Sequence, residues 1–184
     1  PRPVIRALLL VAVLSLTAAT PGGGPPARWG EHGPRLIGRA AADALPDSMP
    51  AFFRDAAAQL SYLNPEPDRW RSRTESDLDR ALGNAGAAEH YIDMEWVPAG
   101  ALDATDRLAF ADSLAFHGEQ SAKVGLLPYR ILELTQRIRV GFRLWRAAES
   151  DQERAWIEAR IIDDAGILGH YVADGSNPHH TTIH

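Results

Sequence analysis

Residues 126–148 read LLPYRILELTQRIRVGFRLWRAA, and within them Leu127, Ile131, Leu134, Ile138, Phe142 and Trp145 recur at steps of three and four. An α-helix completes a turn in 3.6 residues, so this spacing lines one face with apolar side chains and predicts a long helix over roughly 126–148. Ser150 followed by Glu153 has the spacing of a capping box and opens a second helix through Trp156, Ile157, Ile161 and Leu168 to about Ala173. Upstream, Leu108, Phe110, Leu114 and Ala115 mark a helix from Asp106 to about Phe116. Leu36, Ile37, Ala40, Ala41, Ala44 and Leu45 form another apolar face before Pro46, and Ser48 with Pro50 starts a helix from Ala51 to about Leu60. Residues 64–89 are polar and broken by Pro, Gly and Asn, which predicts a long loop with one short helix. No segment alternates as a strand does. The expected fold is all-α, a multi-helix bundle.

Composition narrows the chemistry. The chain has 184 residues, no cysteine, 45% hydrophobic and 23% charged residues, and a formal net charge of -5. That length can bury a full core, which excludes a disulfide-stapled mini-protein, and the charge excludes basic nucleic-acid packaging. Without cysteine, a metal here is held by His, Asp, Glu or backbone groups. Arg2 and Arg6 precede an apolar run from Ala7 to Ala19, followed by PGGGPP at 21–26. This predicts a signal peptide and Pro/Gly-rich linker over 1–28, hence a secreted or periplasmic protein, with one domain over 29–184. Residues 1–28 hold three of the 19 basic residues and none of the 24 acids, so the rest carries 16 against 24, a net -8. Broad attraction to phosphate backbones does not drive binding at that charge.

The seven histidines are uneven, with His170, His179, His180 and His184 in the last fifteen residues. His170 and Asp174 stand four apart, so one helical face presents both to a common ion. Gly175 ends that helix and Pro178 stiffens a loop that returns His179 or His180 towards the same face. An imidazole and a carboxylate on one turn of a rigid helix, with a third donor from the next loop, is a workable zinc site without thiolates. The dense histidines stop abruptly at His184, which predicts further sequence beyond it.

The segment His170-Tyr-Val-Ala-Asp174-Gly-Ser-Asn-Pro178-His-His180 resembles the histidine signature of the zinc-dependent phospholipase C and S1/P1 nuclease superfamily: H-(Y/F)-x-x-D, a Pro, and a His six residues after the Asp. Trp29-Gly30 resembles the superfamily's mature N-terminus, where a Trp gives its amino group and carbonyl to zinc. His90-Tyr91-Ile92-Asp93 resembles the H-F-I-D segment of the nuclease branch. The resemblance spans about residues 29–184. It implies a bundle of the phospholipase C/P1 nuclease type holding up to three Zn2+ ions in the complete family site, of which this chain is expected to complete one. One zinc takes His90, His170, Asp174 and an upstream Asp, for which Asp68 in the proline-rich loop is chosen and Asp77 or Asp79 could serve. Asp174 then bridges to a zinc that also uses Trp29, and His180 binds the remaining one. The family's ligand His after Trp-Gly is replaced by Pro34, with His32 two residues early.

The implied activity is phosphodiester hydrolysis by a metal-bound hydroxide, with Asp68 as ligand and base. In the nuclease branch Tyr91 would stack on a base and Asp93 would hydrogen-bond it, giving single-stranded nucleic acid as substrate. In the phospholipase branch Trp70 and Trp96 would supply an apolar rim for phospholipid. His117, on a helix away from the motifs, reads as a surface residue. A monomer is expected, with no protein partner. Two further classes stand beside the enzyme: a non-catalytic relative keeping one structural metal, and a helical interaction domain.

Overall fold

The two helices expected between residues 126 and 173 pair as a hairpin that is the spine of the molecule. The computed structural model describes residues 31–184, so the expected leader over 1–28, and Trp29 with it, lie outside the described residues. In chain order the helices are α1 (His32–Asp43), α2 (Ala51–Asp55), α3 (Ala57–Leu63), α4 (Glu66–Trp70), α5 (Arg73–Leu78), α6 (Arg80–Asn84), α7 (Arg107–Phe116), α8 (Ser121–Val124), α9 (Leu127–Ala147) and α10 (Asp151–Gly175). Short 3-10 turns occupy Ala87–His90, Met94–Trp96, Ala101–Asp103 and Pro178–His180. The described residues contain no strand, only an isolated bridge between Ile92 and Gly125, and the all-α expectation is met. None of their helices is long and apolar enough to cross a membrane.

Helices α9 and α10 run antiparallel. Arg137 pairs with Asp164 at 2.7 Å, and Trp145 Nε1 donates to Glu158 Oε1 at 2.7 Å. Between them, a Cβ on Gly141 would stand 2.7 Å from Ile161 Cγ1. Rising numbers on one helix meet falling numbers on the other, as the three-residue link at 148–150 demands. The cap forms as its spacing predicts: Ser150 Oγ accepts from Glu153 N, while Glu153 Oε2 accepts from Glu149 N, each at 3.1 Å. Helix α10 continues through Gly175, two residues beyond the expected end.

Two apolar clusters hold this hairpin. One gathers Ile92, Phe110, Leu114, Val124, Leu127, Leu134, Ile167 and Tyr171, joining α7 to the start of α9 and the end of α10. The other gathers Ala42, Phe53, Leu60, Ile157, Ile161 and Ile162, with Phe52, Phe142 and Trp145 against it. Fully burying a side chain such as Ile161 is worth about 1.5–3 kcal/mol, so each cluster locks its end of the hairpin. Trp156 departs from its expected apolar stripe and is 68% exposed.

Two segments differ from expectation. The helix expected over 51–60 breaks at Ala56 (φ -80, ψ 10) and resumes to Leu63. The loop expected over 64–89 is instead a chain of short helical pieces, α4 to α6 and the Ala87–His90 turn. The starts of α5 and α6 are capped locally: Ser72 Oγ accepts from Glu75 N, and Asp79 Oδ1 accepts from Ala81 N and Leu82 N. Periodicity is invisible in pieces this short, whereas the caps are sequence-local.

Candidate metal centre

Three segments converge at the C-terminal end of α10. Asp68 comes from α4, His90 from the turn that follows α6, and His170 and Asp174 from the last turns of α10. Metal-ligating atoms of Asp68, His90 and His170 lie within 4.8 Å of one another. His90 Nδ1 is 3.1 Å from His170 Nε2, and these are 3.8 and 3.7 Å from Asp68 Oδ1. Asp174 Oδ2 closes a second triangle on the same pair, 3.0 Å from His90 Nδ1 and 3.3 Å from His170 Nε2. For metal–ligand bonds of about 2.0–2.1 Å, tetrahedral geometry puts neighbouring ligand atoms about 3.3–3.4 Å apart. The observed separations bracket that value.

Burial sharpens the point. His90 and His170 are each 2% exposed and Asp174 4%, so these polar groups have left water. His170 Nδ1 is buried with no hydrogen-bond partner among the described residues, which leaves Nε2 as the engaged face of the ring. Desolvation lowers the pKa of His90, against the pull of Asp174, and so favours the neutral imidazole that binds metals. Burial works to raise the Asp174 carboxyl, but hydrogen bonds from His170 and His90 outweigh it and hold the pKa at about 2. A neutral His90 imidazole and an ionised Asp174 carboxylate, with the His170 ring and the Asp68 carboxylate beside them, form a nitrogen and oxygen donor set that fits a metal.

The backbone explains how the site is held. Leu126 N donates to Ala88 O, Leu127 N to Tyr91 O, and Asp93 N to Val124 O, which ties the His90 turn to the start of α9. Ile92 N donates to His180 O at 2.8 Å, which joins the same segment to the loop after α10. Gly125 lies under this junction with φ +95, and a Cβ there would sit 2.0 Å from Tyr91 O, so only glycine fits. On the far side, the Asn64 amide donates to Pro34 O at 2.9 Å and accepts from His170 N at 3.2 Å. Asn64 thereby fixes α1 against the ligand-bearing end of α10.

The remaining candidate residues fall as follows. His180 Nδ1 donates to His90 O at 2.7 Å and lies 3.7 Å from Asp174 Oδ1, so the two oxygens of Asp174 face different histidines. That donation leaves the Nε2 lone pair of His180 available. Asp79 caps α6, and Asp68 is the acid of this segment whose carboxylate joins the histidines. Tyr91 is half-buried with its hydroxyl on Ala122 O at 2.5 Å, and the Asp93 side chain makes no hydrogen bond among the described residues. His32 is exposed outside the group, while Pro34 is buried. His179 and His117 are exposed, and Trp70 and Trp96 are 43% and 38% exposed.

Sequence reasoning missed the charged cluster behind His90. Glu89 binds Arg107 at 2.9 Å and Arg130 at 3.3 Å, and Arg107 also engages Glu133. These partners lie on three separate elements, so no local spacing announces them. No family model, curated protein or solved structure matches the chain.

Proposed function

We propose that the chain is a zinc-dependent phosphodiesterase of the phospholipase C and S1/P1 nuclease type, acting on single-stranded nucleic acid. The observation that carries this reading is the convergence of Asp68, His90 and His170 at ligand spacing, with Asp174 against the two histidines. These are the positions to which the resemblance assigns a zinc, and a nitrogen and oxygen donor set without thiolate suits that ion. Bound zinc supplies Lewis-acid polarisation of a phosphoryl oxygen and lowers the pKa of water towards neutrality.

The chain's own groups supply position and proton handling. Asp68 is 48% exposed at its side chain whereas its neighbours are buried, so it marks the open, wet side of the centre. There its carboxylate orients an attacking water and accepts its proton. His90, His170 and Asp174 exclude solvent from the opposite side. Tyr91 and Asp93 flank Ile92, which is bonded to the His180 backbone, and this proximity supports base contact by both. The exposed Trp70 and Trp96 serve the alternative, a phospholipid substrate. The apolar leader supports a secreted or periplasmic location, and the protein is read as a monomer.

A second reading follows from Pro34. Its carbonyl is committed to Asn64, and the nearby His32 is exposed, which favours a relative holding fewer ions, with a structural metal. Metal analysis of the purified full chain, with assays on single-stranded DNA, RNA and phosphatidylcholine in parallel, separates these. Two or more zinc ions per chain with cleavage of DNA or RNA is the expected result. Fewer than two overturns the catalytic reading, one alone supports the structural metal, and cleavage of the lipid alone assigns the phospholipase branch.

A further inference from the structure

Glu89 precedes His90 in the chain and Tyr171 follows His170, and the two side chains meet. Tyr171 donates its hydroxyl to Glu89 Oε2 at 3.4 Å. The Tyr171 ring lies 5.2 Å from the His90 ring and 5.5 Å from that of His170, so it is wedged against both imidazoles. It is 1% exposed.

We propose that Glu89 and Tyr171 form a positioning pair that sets the separation of His90 and His170, and with it the metal affinity of the centre. The proposal rests on the metal-centre reading above. Neither residue belongs to the group of converging ligand atoms. Their effect is exerted through the backbone one residue away from each imidazole, and through the ring packed on both.

The two oxygens of Glu89 are held differently. Oε1 accepts from Arg107 Nη1 at 2.9 Å, which anchors it to α7. Oε2 has Tyr171 at 3.4 Å and Arg130 Nε at 3.3 Å, and that buried Nε makes no aligned hydrogen bond. Arg130 also lies over the Tyr171 ring at 5.4 Å. Oε2 is thus the loosely held oxygen, and a shift of either histidine segment is transmitted to it. Groups that orient metal ligands without touching the ion commonly change affinity by about 10–100-fold when removed.

The test measures Zn2+ affinity by calorimetry and the visible spectrum of the Co2+-loaded full chain for wild type, Tyr171→Phe, Glu89→Gln and the double variant. Melting of each metal-free protein is followed in parallel. Tyr171→Phe keeps the ring and removes only the hydroxyl, so it guards against misfolding of the charge variant. The expected result is an affinity loss of about tenfold in each single variant, no further loss in the double, and a Co2+ spectrum shifted in position but not in the intensity that reports ligand number. Wild-type affinity in the Tyr171→Phe protein, or additive losses in the double, overturns the pairing even if metal-free melting falls. A wild-type chain that binds neither Zn2+ nor Co2+ overturns the metal centre itself.

Discussion

His90 Nδ1 and His170 Nε2 face each other across 3.1 Å although 80 residues separate them in the chain. Asp174 Oδ2 lies within 3.3 Å of both nitrogens, and Asp68 Oδ1 within 3.8 Å. Electron-rich atoms at such distances repel unless something positive lies between them. Hydrogen bonds to Asp174 satisfy part of this arrangement, whereas a dication would serve Asp68, His90 and His170 together. Accordingly, His90→Ala and His170→Ala should each abolish stoichiometric zinc binding, and Asp68→Ala should weaken it. His117→Ala and His179→Ala, which remove exposed rings, should leave it unchanged. Zinc content by mass spectrometry after dialysis decides this, and retention of full zinc in His170→Ala would sink the assignment.

Metal should also stabilise the fold, because the ligands come from α4, the His90 turn and α10, which are brought together only in the folded chain. At free zinc about 100-fold above its dissociation constant, the gain is about 2.7 kcal/mol. For a domain of this size that corresponds to about 5–10 °C in Tm. Scanning calorimetry with zinc and with excess chelator reads the difference directly. Identical melting under both conditions would contradict a centre built from these segments.

Acid should release the metal. The pKa of His90 is lowered by burial, so the unfolded chain takes up a proton more readily than the folded one as pH falls through the ordinary histidine range near 6.5. Stability therefore declines on acidification through and below that range, and protons also compete directly for the ring nitrogen. Asp174, held at about 2, stays ionised throughout, so the decline follows the His90 imidazole and not the carboxylate. Zinc titrations at several pH values should show affinity falling below about pH 6.5 and level above it. An inflection near pH 4 instead would shift the role to a carboxylate.

What could be read from the sequence follows the range of the interactions. The α9 stripe, the Ser150 cap and the His170–Asp174 pair are local, and the structure bears them out. Asp68 could be chosen among its neighbours only by chain order, yet it alone reaches the histidines, because Asp79 is spent on a cap. Residues 64–89 misread as loop because pieces of five or six residues cannot show a helical period. The Glu89–Arg107–Arg130 cluster and the Gly125 contact are tertiary, and no spacing encodes them.

Asp164 offers a test of the spine remote from the metal. It is 1% exposed, and its carboxylate receives Arg137 through both Nε and Nη2, at 3.2 and 2.7 Å. Arg137→Ala leaves the buried Asp164 carboxylate without its partner, at a cost of about 1–3 kcal/mol because the arginine side is open to water. Burial already raises the Asp164 pKa against the pull of Arg137, so the variant should hold it higher still. A raised carboxyl favours folding below its unfolded pKa and loses that contribution as pH rises. Urea melts of Arg137→Ala should therefore show a larger deficit against wild type at pH 7 than at pH 4. Equal deficits would mean that the arginine stem, and not its charge, supports the hairpin.

Gly125 and Gly118 separate close approach from backbone strain. Both have positive φ, +95 and +79, but a Cβ at Gly118 meets nothing within 4 Å, while one at Gly125 would stand 2.0 Å from Tyr91 O. Gly118→Ala should cost only the left-handed penalty of about 1–2 kcal/mol and leave zinc binding intact. At Gly125 the backbone, with ψ 165, lies in a region essentially reserved for glycine, at a cost of about 1–3 kcal/mol, and the clash adds to it. Relief of that clash must move Tyr91, whose carbonyl accepts from Leu127 N, and with it the neighbouring His90. Gly125→Ala should thus lower both Tm and zinc affinity, whereas Gly118→Ala lowers Tm alone. Zinc affinity unchanged in a folded Gly125→Ala protein would show that the His90 turn is held from the α10 side, through Ile92 and His180, without need of the α9 junction.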